Sequence, residues 1–182
     1  SEIVFDGNKG KSFLEIENAK EYSFEFFAFS KIFNMAGWRL GVAVGNSKIL
    51  SALKALKANI DSSVFVPVQK AGATALREVY DPTFRQKQSK KFERRRDAVY
   101  ESLSNMKGWE PYLAKGGMYT WSKIPTDNSS KFLKRVFKDT GVLLTPGTAY
   151  GPNGEGFARI GLVKPIDKLK EAFKRVQLNK TN

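Results

Sequence analysis

Two cations set among apolar residues mark the stretch Phe29-Ser30-Lys31-Ile32-Phe33-Asn34-Met35-Ala36-Gly37-Trp38-Arg39-Leu40-Gly41. Lys31 follows an apolar run, and Arg39 comes eight residues later, just past Gly37. Neither belongs to a solvated charge run. A lysine whose charged form is disfavoured by burial becomes a nucleophile that forms a Schiff base with an aldehyde. An arginine offers a planar fork that grips phosphate by two parallel hydrogen bonds. The pair suits an amine nucleophile beside an anion clamp. Taken singly, the same residue types also suit a lysine snorkelling to water and an arginine in a surface ion pair. A third cation, Arg159, sits in a glycine-rich run from Pro146 to Leu162. Its bare alternatives are an anion ligand and a plain edge-strand arginine.

The rest of the inventory narrows the chemistry. The chain has 182 residues, no cysteine and no histidine. Disulfides, thiolate zinc sites and Ser-His catalysis are therefore excluded. Proton transfer falls to Lys, Tyr, Asp or Glu. The carboxylates Asp6, Glu78, Asp81 and Glu155 show no catalytic pairing and suit solvated or capping roles. The net charge of +13 attracts anions. Its densest cluster is Lys87, Lys90, Lys91, Arg94, Arg95 and Arg96. That cluster alone supports a basic nucleic-acid module, but it lacks the aromatic platforms of a single-strand binder. No run approaches the roughly 18 apolar residues of a membrane span. Ser1 to Asp6 carries no signal-peptide pattern, so a cytoplasmic protein is expected. The missing initiator methionine suggests a processed or cut chain.

The elements that must position these residues follow from periodicity. Tyr22 to Phe29 and Leu40 to Val44 read as strands, and their near-continuous apolar character suits strands covered on both faces. Ser47 to Ile60 reads as a helix capped by Asn46, with Ile49, Leu53, Leu56 and Ile60 inward. Pro67 starts a further helix with Ala71, Ala75 and Leu76 on one face. Asp81-Pro82 opens a long polar helix to about Leu103, anchored by Phe84, Phe92, Val99 and Leu103. Beyond Gly108 come a strand over 117–121 and a helix from Ser130 to Asp139. That helix points Phe132, Leu133, Val136 and Phe137 inward and stops at Gly141. Strands follow at 142–144 and 157–163. A last helix starts at Pro165, with Ile166, Leu169, Phe173 and Val176 as its apolar stripe. The tail 178–182 is expected to fray. The fold class is α/β joined to α+β, divided into 1–80, a connecting helix 81–108, and a small lobe 109–182.

The string Ser30 to Gly41, continuing through Val44-Gly45-Asn46, resembles the cofactor-lysine segment of class I and II aminotransferases. These are fold-type I enzymes that use pyridoxal 5'-phosphate. The resemblance implies that Lys31 carries the cofactor as a Schiff base and then moves the substrate Cα proton. It implies that Arg39, with Ser30, grips the cofactor phosphate. One departure stands out: Ala28 occupies a place where the family usually has a hydroxyl. One phosphate hydrogen bond, worth about 1 to 3 kcal/mol, is lost there. The run Pro146 to Leu162 resembles the small-lobe segment whose arginine, here Arg159, clamps the substrate carboxylate. Tyr119 and Trp121 look like the strand that approaches the substrate side chain; alternating core packing fits them equally. Phe65, Val66, Pro67 and Gln69 resemble the segment that faces the partner in family dimers.

The resemblance covers nearly the whole chain but only the later part of the family pattern. Members are roughly double in length. Their earlier half supplies a glycine-rich phosphate turn, a ring-stacking aromatic, an Asn, a Tyr and the Asp that pairs with the pyridine nitrogen. The expectation is therefore the C-terminal part of a large cofactor-binding domain plus a complete small domain. The N-terminal half is needed to complete the site, and this chain alone is expected to be inactive. Implied partners are an amino acid, a 2-oxo acid and a second subunit, with neither nucleic acid nor membrane. The wording Asn34 to Gly41 looks most like enzymes for alanine, aspartate or diaminopimelate-type substrates. A lyase or synthase of the same fold, or a non-catalytic fragment, remains open at this stage.

Overall fold

A computed structural model describes residues 2–179, and Lys180 to Asn182 of the expected frayed tail lie outside the described residues. The chain forms two compact units. One comprises Glu2 with residues 9–88, the other residues 3–8 with 89–179.

After a 3-10 turn at Phe13–Glu15, the first unit has a short helix α1 (Ala19–Tyr22), then strand β1 (Phe24–Ala28), a single helical turn α2 (Phe29–Ile32) and strand β2 (Gly41–Gly45). Aromatic and β-branched content makes β1 and β2 strands. They pair antiparallel, from Phe24 opposite Gly45 to Ala28 opposite Gly41. Helix α3 (Ser47–Ile60) follows, and Asn46 caps it by accepting the Ile49 amide at 3.0 Å. Helix α4 (Val66–Thr74) has Pro67 in its first turn and runs into a π-helical turn, Ala75–Val79. Its buried contact is Gly72 rather than the expected alanines. A side chain there would overlap Leu40 Cδ2 and press on the Phe29 ring. Asp81 accepts the Phe84 amide at 2.6 Å and starts helix α5 (Pro82–Ser104), whose first turns belong to this unit.

Two expectations fail here. The strands are not covered on both faces: Phe26 is 71% exposed and Val44 is 55% exposed. The apolar stripe of α3 is not inward throughout either, since Leu56 and Ile60 are exposed. The reason is that the sheet has two strands, and among the described residues no further layer covers its second face or the far end of α3.

The second unit is a four-stranded antiparallel sheet of order β3-β4-β6-β5, made from β3 (Glu110–Pro111), β4 (Tyr119–Lys123), β5 (Thr145–Pro146) and β6 (Phe157–Gly161). Helices α6 (Ser129–Thr140) and α7 (Ile166–Leu178), with the later turns of α5, supply its core. Phe92, Val99, Leu103, Phe132, Val136 and Phe173 are all buried. Residues 3–5 join this unit by a bridge from Val4 to Gly116, which buries Ile3 and Phe5. Gly141 stops α6 in the left-handed region at φ 71°, donating its amide to the Phe137 carbonyl.

Phe137 is exposed, against expectation, because it lies about 90° round the helix from the stripe centred on Phe132, Leu133 and Val136. Ile166 is likewise exposed in the first turn of α7. Residues 142–144 do not form the expected strand. Val142 and Leu144 are buried and Leu143 is exposed, but ladder pairing starts only at Thr145. Core anchoring of alternate side chains, without cross-strand hydrogen bonds, sets their extended path. Gly72→Val should lower the urea unfolding midpoint, at a cost of about 1 to 3 kcal/mol, because the new side chain would overlap Leu40 Cδ2 and press on the Phe29 ring, both of which must then shift.

Candidate active site

Strand pairing decides where Lys31 and Arg39 sit. The β1–β2 ladder closes at Ala28 opposite Gly41, and just beyond it Phe29 donates its amide to the Leu40 carbonyl at 3.2 Å. Residues 29–40 are thus a loop tied at its neck. Ser30 and Lys31 leave the neck on one side and Arg39 on the other. In α2 the positions one turn apart, Phe29 and Ile32, are buried, and so is Leu40. Phe33 stacks on Phe29 at 5.3 Å and on Phe84 at 5.6 Å. These anchors fix the inner face of the turn and leave Lys31 exposed and Ser30 half-buried on the outer side.

The apolar neighbours of Lys31 therefore point away from it, and the burial expected to tune its amine is not provided by the described residues. Arg39 is exposed as well. Its backbone is left-handed, φ 51°, ψ 41°, a conformation that costs a non-glycine residue about 1 to 2 kcal/mol. The guanidinium offsets part of this by donating from Nη1 to the Ala36 carbonyl at 2.9 Å. Glycine would fit this backbone without strain, so an arginine here points to work for its side chain. Among the described residues, the Lys31 amine and the Ser30 hydroxyl have no hydrogen-bond partner, and Arg39 has no carboxylate partner. An aldehyde carrying a phosphate fits this donor set: an amine for the carbonyl, a guanidinium and a hydroxyl for the anion. An apolar groove of about 600 Å³ lies nearby, walled by Leu40, Val42, Leu53 and Leu76. Neither Lys31 nor Arg39 lines it.

In the second unit Arg159 lies on β6 opposite Trp121 of β4 and Thr145 of β5. Thr120 and Ser122 face the core, so Tyr119 and Trp121 share the other face with Arg159. The Arg159 guanidinium carbon lies 4.2 Å from the Tyr119 ring centre and 4.7 Å from that of Tyr150. Arg159 has no acidic partner among the described residues. Tyr150, in the 3-10 turn Gly147–Tyr150, was not singled out by sequence. The only hint was an aromatic inside the glycine-rich run. That turn is held where Gly147 and Gly154 cross so closely that a Cβ on either would overlap the other's backbone.

Glu155 then accepts the Ser129 amide at 2.6 Å and the Gly156 amide at 3.0 Å, tying the turn to the start of α6. The Ser129 hydroxyl first, then these two amides, hold the Glu155 carboxyl below its ordinary range. The other carboxylates are structural too. Asp81 caps α5, and Asp6 pairs with Arg96 at 2.5 and 2.8 Å. Among the described residues there is no metal-ligand cluster and no helix long and apolar enough to cross a membrane.

A fold of this kind, with a lysine and an arginine at the neck of one loop and a carboxylate-free arginine on a separate sheet, defines a class that comparison makes specific. The family profile "Aminotransferase class I and II" matches residues 8–176. The chain belongs to the class I and II aminotransferases, a family dependent on pyridoxal 5'-phosphate. It is 42% identical over 178 residues to the LL-diaminopimelate aminotransferase of Halothermothrix orenii, covering 97% of this chain and 45% of that one. The enzyme of the same name from Natranaerobius thermophilus is also 42% identical, with the same coverage. Among solved structures, the aromatic aminotransferase from Pyrococcus horikoshii superposes with a TM-score of 0.89 at 28% identity, over 97% of this chain and 48% of that one. An aminotransferase from Staphylococcus aureus superposes at 0.88 with 33% identity, over 97% and 46%. The chain thus spans about half the length of the curated relatives it matches.

The Glu155 shift fixes the sign of a pH effect. A carboxyl held below its unfolded value contributes stability above that value and loses it as pH falls through the folded one. Urea unfolding should therefore show stability dropping below about pH 4. Glu155→Gln should be less stable at pH 7 yet show a shallower acid-side fall.

Proposed function

We propose that the polypeptide to which this chain belongs is an aminotransferase. It moves an amino group from an amino acid to a 2-oxo acid in a ping-pong cycle, with pyridoxal 5'-phosphate held on Lys31. The observation that carries the reading is the gathering of an unpartnered amine, a hydroxyl and a strained arginine at one loop neck, in a chain of this family. Arg39 and Ser30 would hold the phosphate, and Ala28 would leave that grip one hydroxyl short. When bound, the cofactor supplies an electron-withdrawing ring that takes up the electron pair released at the substrate Cα.

Lys31 provides the amine that carries it and then shuttles the Cα proton. Arg159 receives the substrate carboxylate by a bidentate contact, with Tyr119 beside it. Relatives named LL-diaminopimelate aminotransferase support a diaminopimelate-type amino donor. The family resemblance supports a homodimer, with Phe65, Val66, Pro67 and Gln69 facing the partner, and a cytoplasmic location is proposed with it. In this reading residues 1–80 belong to the large domain, the helix segment 81–108 links the domains, and residues 109–182 form the small one.

The test uses the chain alone and the chain extended by the preceding half of the polypeptide. Adding pyridoxal 5'-phosphate to the extended protein should give a visible-edge absorbance band. Borohydride should then fix the adduct on Lys31, with none formed in Lys31→Ala. Arg39→Gly should weaken cofactor affinity about 10- to 100-fold, the loss of a charge-assisted phosphate contact. Its fold stability should stay within about 1 kcal/mol, because glycine relieves the left-handed strain. An adduct on another lysine, or none in the extended protein, would sink the reading.

A further inference from the structure

Two of the second unit's arginines stand in opposite electrostatic situations. Arg96 is 3% exposed, and its donors are consumed by Asp6, Asp97 and the Ala114 carbonyl. Arg159 is half-buried, and among the described residues its guanidinium has two ring contacts, Tyr119 and Tyr150, and no acidic partner. An ion pair would neutralise the charge and occupy the edge donors. An aromatic face attracts the cation without doing either.

Two rings at 4.2 and 4.7 Å therefore restrict the guanidinium while leaving its N–H fork open. Tyr119 is a strand residue fixed by ladder pairing opposite Gly161. Tyr150 is delivered differently, by the turn locked at the Gly147–Gly154 crossing, and is buttressed edge-on by Trp121 at 5.8 Å. Trp121 in turn stacks on Phe157 at 5.8 Å. The chain thus builds a supported aromatic wall against which Arg159 lies.

We propose that Tyr150 is a positioning residue for anion recognition: its ring face holds the Arg159 guanidinium in place without neutralising it, so that the open fork takes a planar carboxylate. The proposal rests on the carboxylate role of Arg159 stated above. It depends on the ring and not on the hydroxyl, which makes no hydrogen bond among the described residues. Tyr150 is exposed, so its replacement leaves the core intact.

The experiment is arginine side-chain NMR on the protein extended by the preceding half of the polypeptide, with pyruvate as the carboxylate probe and its neutral amide as control. In the unaltered chain the Arg159 Nε–H resonance should be displaced upfield by ring currents and should shift saturably with pyruvate only. Tyr150→Leu should lose much of the upfield displacement and weaken pyruvate binding about fivefold, the scale of one cation–π contact. Tyr150→Phe should keep both within twofold, which separates the ring from any hydroxyl role and shows that the turn still folds. If Tyr150→Leu leaves the resonance and the affinity unchanged, the positioning role is overturned. If the unaltered chain shows the Tyr150-dependent shift but no response to pyruvate, the positioning stands and the carboxylate role of Arg159 falls instead.

Discussion

Phe29 gives its amide proton to Leu40 across the end of a five-rung antiparallel ladder, and the buried side chains of both residues pack against Gly72. That tied neck is the constraint on which the rest of the first unit depends. It converts a separation of eight residues in sequence into residence at one loop mouth. It also sets the outward direction of Ser30 and Lys31, because Phe29 and Ile32 must point inward. The left-handed turn at Arg39 then feeds the chain into β2. Burial of three apolar side chains stabilises the loop by several kcal/mol at about 25 cal/mol per Å², enough to hold one strained backbone position. Lys31 and Ser30 need no partners within the loop, since its shape is fixed largely by apolar residues that take no part in chemistry.

Much of this was legible in the residues. Asn46 announced α3 because its short side chain satisfies an orphan amide, and the helix runs from Ser47 to Ile60 as the spacing predicts. Asp81 and Gly141 marked a start and a stop by equally local chemistry. Burial was less legible where it depends on what lies across from an element. The stripe on α3 has the right period, yet Leu56 and Ile60 meet no layer among the described residues. Residues 142–144 alternate like a strand without pairing, because alternation reports side-chain burial and not ladder hydrogen bonds. At the site, Lys31, Arg39 and Arg159 stood out through motif context. Tyr150 did not, because its contact with Arg159 depends on the backbone crossing of Gly147 and Gly154 and on a turn whose path no periodicity encodes.

Charge is used in two ways in this basic chain. Arg96 spends its donors inside the second unit and ties residues 3–8 to α5 through Asp6, whose carboxyl is held below its ordinary range mainly by that hydrogen bond. Arg95 donates to the Leu162 carbonyl at 3.0 Å. Two members of the densest basic cluster are therefore structural, which weakens the nucleic-acid reading built on that cluster. Lys31, Arg39 and Arg159 carry no acidic partner among the described residues. Cations kept free of carboxylates suit anionic ligands, and the family supplies two of them: a cofactor phosphate and a substrate carboxylate. The relatives reach about double this length, and the proposed activity belongs to that longer assembly.

A crystal structure of the extended protein with pyridoxal 5'-phosphate would test the central claim most directly. The account predicts continuous density from Lys31 Nζ to the cofactor, with the phosphate on the Arg39 guanidinium and the Ser30 hydroxyl and no side-chain contact from Ala28. A cofactor bound away from the loop neck, or attached through another lysine, would contradict it.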